Sequence, residues 1–148
     1  VCYGDDAAGL ARIQRAADAG AIEALAAAMQ VHPQDVGMQE MGCWALANVC
    51  FGTDGAGGAR SQRAANTGAI EAAVAAMRAH PQVAGVQQQG CRALVNVCSV
   101  TDAAGLARKQ RAADAGAIEA VVAAMQAHPQ VAEVQVDGFW ALRNVCSG

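Results

Sequence analysis

Aromatic side chains are scarce in this chain: two Trp, two Phe and one Tyr, 3% of 148 residues. Proline is scarcer still, with three residues, each preceded by histidine. Basic charge is not in excess, and the formal net charge of −3 lacks the cationic footprint of a nucleic-acid-binding protein. Long apolar runs are missing too. Glu23, Glu71 and Glu119 interrupt the best candidates well before the roughly 18–20 residues that a membrane span needs. Ser and Thr are few, and no Ser-His-acid set recurs, so the chain is expected to be no enzyme and to carry no cofactor. What is abundant is alanine, the strongest helix former, and the composition therefore points to closely packed helices.

The dominant signal is a repeat. Gly-Ala-Ile-Glu-Ala begins at Gly20, Gly68 and Gly116; His-Pro stands at His32, His80 and His128; Asn-Val-Cys begins at Asn48, Asn96 and Asn144. Every step is 48 residues, without insertion or deletion. A fixed period of about 20–50 residues is the mark of stacked supersecondary units. The units fall at about 6–50, 54–98 and 102–146 of a single domain spanning 1–148.

Each unit reads as three helices. The first starts after Asp6, Asp54 or Asp102, whose carboxylate suits an N-cap. It ends at Gly20, Gly68 or Gly116, where glycine permits a sharp turn. The second carries an i, i+3, i+4, i+7 stripe of Ile22, Leu25, Ala26 and Met29, matched by Ile70, Ala73, Val74 and Met77, and by Ile118, Val121, Val122 and Met125. His-Pro stops it, because a residue before proline avoids helical geometry. The third has a core column of Met38, Gly42, Ala45, Leu46 and Val49, repeated at Val86, Gly90, Ala93, Leu94 and Val97, and at Val134, Gly138, Ala141, Leu142 and Val145. A mid-helix glycine costs about 1 kcal/mol against alanine, so its recurrence predicts a close crossing that excludes a side chain. No unit can bury its stripe alone, and stacking has to supply the core.

At about 100° per residue, positions 44 and 48 lie roughly 200° and 240° from the Gly42 direction. A second stripe, Gly37, Met41, Trp44 and Asn48, therefore faces away from the core. Its copies are Gly85, Gln89, Arg92 and Asn96, then Glu133, Asp137, Trp140 and Asn144. A carboxamide offers both donors and an acceptor, and helix layers about 8–10 Å apart space successive Asn residues for roughly every third residue of an extended strand. The stripe is thus expected to hold an extended peptide or another protein through Trp44, Asn48, Gln89, Arg92, Asn96, Asp137, Trp140 and Asn144. The same recurrence would arise if Asn simply tied neighbouring third helices together, leaving an architectural spacer or assembly subunit, so both readings stand. Arg92 and Arg143 oppose a basic partner while Glu40, Glu133 and Asp137 favour one.

Trp44-Ala-Leu-Ala-Asn48 and Trp140-Ala-Leu-Arg-Asn144, in register with Ala19-Gly20-Ala21, resemble the armadillo-repeat family. The resemblance covers nearly the whole chain, although its unit is longer than the family's usual one. It implies an all-α, right-handed α-solenoid whose third helices line a concave groove. It also implies that Asn48, Asn96 and Asn144 bond the backbone of a bound peptide, with Trp44 and Trp140 flanking its side chains and Arg92 replacing the middle Trp.

Cysteines recur at Cys2, Cys50, Cys98 and Cys146, with Cys43 and Cys91 between them. Cys43 and Cys50 are about 10.5 Å apart along one helix, beyond the roughly 7 Å that a disulfide spans. They read as small buried thiols without disulfides, in a reducing compartment such as cytoplasm or nucleus. His32, His80 and His128, one per layer, are too far apart to share a metal and suit helix C-termini instead. The glycine-rich Gly52–Gly58 lacks the Lys-Ser/Thr ending of a phosphate loop, and Asp5, Asp6, Asp54 and Asp102 lack calcium-loop spacing. Val1-Cys2 aligns with Val49-Cys50, which suggests an excerpt of a longer array whose uncapped ends are open to end-to-end contacts.

Overall fold

The computed structural model describes residues 6–100 and 102–148; Cys2 and Asp5 lie outside them. The described residues form nine α-helices and no strand. Three triplets follow one another: α1 (Ala7–Asp18), α2 (Ala21–Val31) and α3 (Val36–Val49); α4 (Gly55–Asn66), α5 (Ala69–Ala79) and α6 (Ala84–Val97); α7 (Ala103–Asp114), α8 (Ala117–Ala127) and α9 (Ala132–Cys146).

Local chemistry sets the boundaries. The carboxylates of Asp6, Asp54 and Asp102 accept from the amides of Gly9, Gly57 and Gly105 at 2.7, 2.8 and 2.7 Å, satisfying donors that the first helical turn leaves open. Gly20, Gly68 and Gly116 turn the chain with φ of 89°, 81° and 86°, the left-handed region that a side chain disfavours. His32, His80 and His128 close the second helices at φ near −122°, −127° and −125°.

Stacking then builds the core. The most extensive contacts join α3 to α6 and α6 to α9. The second and third helices of each triplet meet at Gly42, Gly90 and Gly138. What fills the space above each glycine is a methionine: a methyl there would run into Met29, Met77 or Met125 respectively. The expected crossing without a side chain is thus a glycine–methionine pair, in which an unbranched, adaptable side chain occupies the notch.

Burial follows position in the stack. In the middle triplet Ile70, Ala73, Val74, Met77, Val86, Ala93, Leu94 and Val97 are all buried. In the outer triplets the matching Leu25, Met38, Ala45, Ile118 and Met125 are half-buried, and Val122 is exposed. Each inner face gains its cover from a neighbour, as a one-dimensional array requires. Among the described residues no helix is long and apolar enough to cross a membrane.

Candidate functional site

The row formed by the outward stripe of α3, α6 and α9 is the candidate interaction surface. Arg92 and Met41 are exposed, and Trp140 is 48% exposed; Trp44, Gln89, Asp137 and the three asparagines are half-buried. The stripe runs along the seams between layers: a side chain on Gly85 would collide with the Glu40 carboxylate of the preceding third helix. Arg143 stacks over the Trp140 ring, 5.0 Å from its centroid, a cation–π contact. Burial lifts the Asp137 carboxyl above its ordinary range, while nearby Arg92 and a hydrogen bond from Gln88 draw it back. The side-chain oxygen of Gln89 is buried without a donor among the described residues.

The asparagines sit on this row, and the structure assigns their donors. Asn96 Nδ2 donates to the Ala47 carbonyl at 2.6 Å, and Asn144 Nδ2 to the Val95 carbonyl at 2.9 Å. Each amide reaches back to the last turn of the preceding third helix, where carbonyls lack a helical donor. One of the two amide hydrogens of Asn96 and of Asn144 is therefore engaged within the array.

Three further inter-layer links recur that periodicity alone did not reveal. His80 and His128 place Nε2 2.8 Å from the carbonyls of Pro33 and Pro81, so each histidine both ends its helix and spans to the layer before. Glu23 pairs with Arg63, and Glu71 with Arg111 at 2.7 Å; the Arg63 guanidinium holds the Glu23 carboxyl below its usual range. Arg60 and Arg108, 4% and 2% exposed, donate to the Val49 and Val97 carbonyls at the ends of α3 and α6. Within each triplet, the side-chain amides of Gln39, Gln87 and Gln135 donate to two carbonyls at the end of the second helix. All these residues recur at the 48-residue step, which was the available clue; their partners were not readable.

No family model, curated protein or solved structure matches this chain.

Cys43, Cys50, Cys91 and Cys98 are buried free thiols, but Cys146 is exposed. The expectation of a buried thiol fails there because Cys50 and Cys98 lie under the following triplet, near Arg60 and Arg108, whereas Cys146 ends the last described helix. Desolvation pushes Cys43, Cys50 and Cys91 up to about 12 and Cys98 to about 11. The thiolate is the reactive species. A maleimide at pH 8 should thus modify Cys146 rapidly and spare these four until denaturant is added. Peptide mapping that finds Cys43 or Cys91 labelled as fast as Cys146 would contradict this packing.

Proposed function

We propose that this chain is a non-enzymatic, armadillo-type scaffold that holds an extended partner segment along the row formed by α3, α6 and α9, the concave face of a right-handed solenoid. The observation that carries this reading is solvent exposure. In a chain with 3% aromatics, Trp140 and Met41 stand 48% and 54% exposed on the same row as the exposed Arg92. Burial would be the default for such apolar side chains, and large apolar side chains left exposed along a repeat face favour protein contact. The recognition roles shift accordingly: Trp140, Trp44, Arg92, Gln89 and Asp137 meet side chains. Asn48, Asn96 and Asn144 serve a bound backbone through their side-chain oxygens. No metal or cofactor enters, and the buried thiols suit a reducing compartment.

Selection of random extended peptides on the immobilised chain tests this. Selected peptides should bind a Trp140→Ala/Arg92→Ala variant at least about tenfold more weakly, with the unfolding midpoint nearly unchanged because both side chains are exposed. Retention of full affinity by that variant rejects the row as the site.

One observation favours a second reading, an architectural spacer or assembly subunit: Asn96 and Asn144 each donate a layer-to-layer bond. Asn96→Ala removes such a bond and should lower stability by about 1–2 kcal/mol, measured by urea titration. If the loss appears and no peptide is ever selected, the spacer reading stands.

A further inference from the structure

We propose that this chain binds a small zwitterionic amino acid in a cleft between α4 and α7, at the inner boundary of the second and third triplets. This goes beyond the groove reading and does not rest on it, because no residue of the row on α3, α6 and α9 lines the cleft.

Two departures from the repeat meet at this boundary. The first is a missing side chain. Leucine stands at Leu10 and Leu106, but the equivalent position between them is Gly58. A methyl there would lie 3.8 Å from a Val100 methyl, in ordinary contact, so the space is free for a side chain that the middle copy lacks. A cleft of about 290 Å³ remains, at the small end of ligand pockets, which start near about 300 Å³. Gly58, Ala59, Val100 and Ala104 give it apolar wall, and Asp54, Asp102 and Arg108 give it charge.

The second departure is a donor left over. At the first boundary Gly52 adopts a φ of 116°, and the Phe51 carbonyl just before it accepts from Arg60 Nη2 at 2.7 Å. The equivalent of Gly52 is Val100, which has no positive φ, as a β-branched residue requires. The bond is not repeated. Arg108 is 2% exposed, and its Nη2 finds no acceptor among the described residues, while Nε and Nη1 are held by the Val97 carbonyl and Gln62. Arg60 Nη2 lies 3.3 Å from where a Gly52 side chain would begin, and Val100, which stands at that position, is part of the cleft wall. A buried donor without an acceptor is costly, and this one borders a space that an outside oxygen can enter.

The charges select the occupant. Asp54 and Asp102 each spend one carboxylate oxygen on capping their helices. A simple anion would meet Arg108 but also both carboxylates, and like charges side by side count heavily against a partner. A simple cation would suit the aspartates and leave Nη2 unmet. A molecule with a carboxylate and an ammonium on one carbon answers both: its carboxylate accepts from Nη2, and its ammonium donates to Asp54 and Asp102. The alanines and Val100 leave room for a short aliphatic side chain, so valine has the required chemistry.

Titration of the isotope-labelled full chain with L-valine, followed by amide shifts in heteronuclear NMR, provides the test. Saturable shifts are expected at Gly58, Ala59 and Val100, with a dissociation constant of about 1 mM. 3-Methylbutanoate and isobutylamine, each carrying only one of the two charges, should bind at least about tenfold more weakly. Gly58→Leu, which restores the residue of the other two copies, should abolish binding and raise the melting temperature, because leucine favours the helix over glycine. Asp102→Ser keeps a capping oxygen but removes a charge, and should weaken valine binding about fivefold with helicity retained. No saturable shift up to about 20 mM valine, 3-methylbutanoate binding as tightly as valine, or undiminished binding by Gly58→Leu or Asp102→Ser each overturns the proposal.

Discussion

Replacing Arg60 by alanine is expected to lower the unfolding free energy by about 3 kcal/mol and the melting temperature by about 10 °C. Arg60 is 4% exposed and has no carboxylate partner among the described residues. It is held by helix-end carbonyls instead: Nε donates to the Val49 oxygen at 2.8 Å, Nη2 to the Phe51 oxygen at 2.7 Å, and Nη1 to Gln14 at 2.7 Å. These carbonyls cluster where α3 ends, at the negative pole of its dipole, so a cation there is favoured even without an anion. Alanine leaves a buried carbonyl, a part-buried carbonyl and an amide oxygen without their donors between the first and second triplets. Lysine restores charge but not the planar fork, and should recover less than half of the loss. Arg108 supplies an internal control. Its Nε and Nη1 make the equivalent bonds to Val97 and Gln62 at 3.0 and 2.8 Å, but its buried Nη2 finds no acceptor among the described residues. Arg108→Ala should accordingly cost about 1 kcal/mol less than Arg60→Ala. Urea titrations followed by helical circular dichroism read both; equal costs would show that the third bond contributes nothing.

The second large effect is a pair of opposite signs two residues apart. Gly57→Ala is expected to destabilise by about 2–3 kcal/mol, whereas Gly55→Ala is expected to stabilise by about 0.5–1 kcal/mol. Both glycines sit in the first turn of α4. At Gly55 a methyl would meet nothing within 4 Å, and alanine only narrows the unfolded ensemble. At Gly57 the backbone of Gly52 lies directly over the Cα, and a methyl would overlap its carbonyl. The loop cannot retreat cheaply, because Asp54 anchors the Gly57 amide and Arg60 Nη2 holds the Phe51 carbonyl beside it. Gly105 repeats the arrangement against the Val100 carbonyl, so Gly105→Ala should behave as Gly57→Ala does. Urea midpoints that shift in the same direction for Gly55→Ala and Gly57→Ala would refute the close approach.

Both effects bear on how the layers recognise one another. The loop that Gly57 admits is the segment between α3 and α4, and the arginine that fastens it is three residues further along the same helix. One short stretch, Asp54 to Arg60, therefore caps its own helix, receives the preceding loop and neutralises the end of the preceding third helix. The same stretch recurs at Asp102 to Arg108. Layer stacking is thus specified by polar groups at helix ends as much as by the alanine-rich core.

Much of this architecture was legible in the order of the residues. The 48-residue step, the aspartate caps, the left-handed glycines and the apolar columns all depend on neighbours within about one helical turn or on periodicity, and the chain displays both directly. The links between layers were not. His80 to Pro33, Asn96 to Ala47, Arg63 to Glu23 and Arg60 to Gln14 join residues 40 to 49 apart. Their pairing exists only once two helical layers are laid side by side. The recurrence of Asn, His and Arg was visible, but a carboxamide suits a peptide backbone and a helix-end carbonyl equally well, since both present the same acceptor. The sequence by itself determined an all-α chain of three equivalent helical triplets, because helix starts, stops and faces are decided by short-range sterics and hydrogen bonding. Only the tertiary structure decided that Asn96 and Asn144 each donate to the preceding layer, that Cys146 is exposed while Cys50 and Cys98 are buried, and that Val136 and Phe139 are exposed. Each depends on which surface a neighbouring layer covers, and that is a property of the packed solid, absent from any single helix.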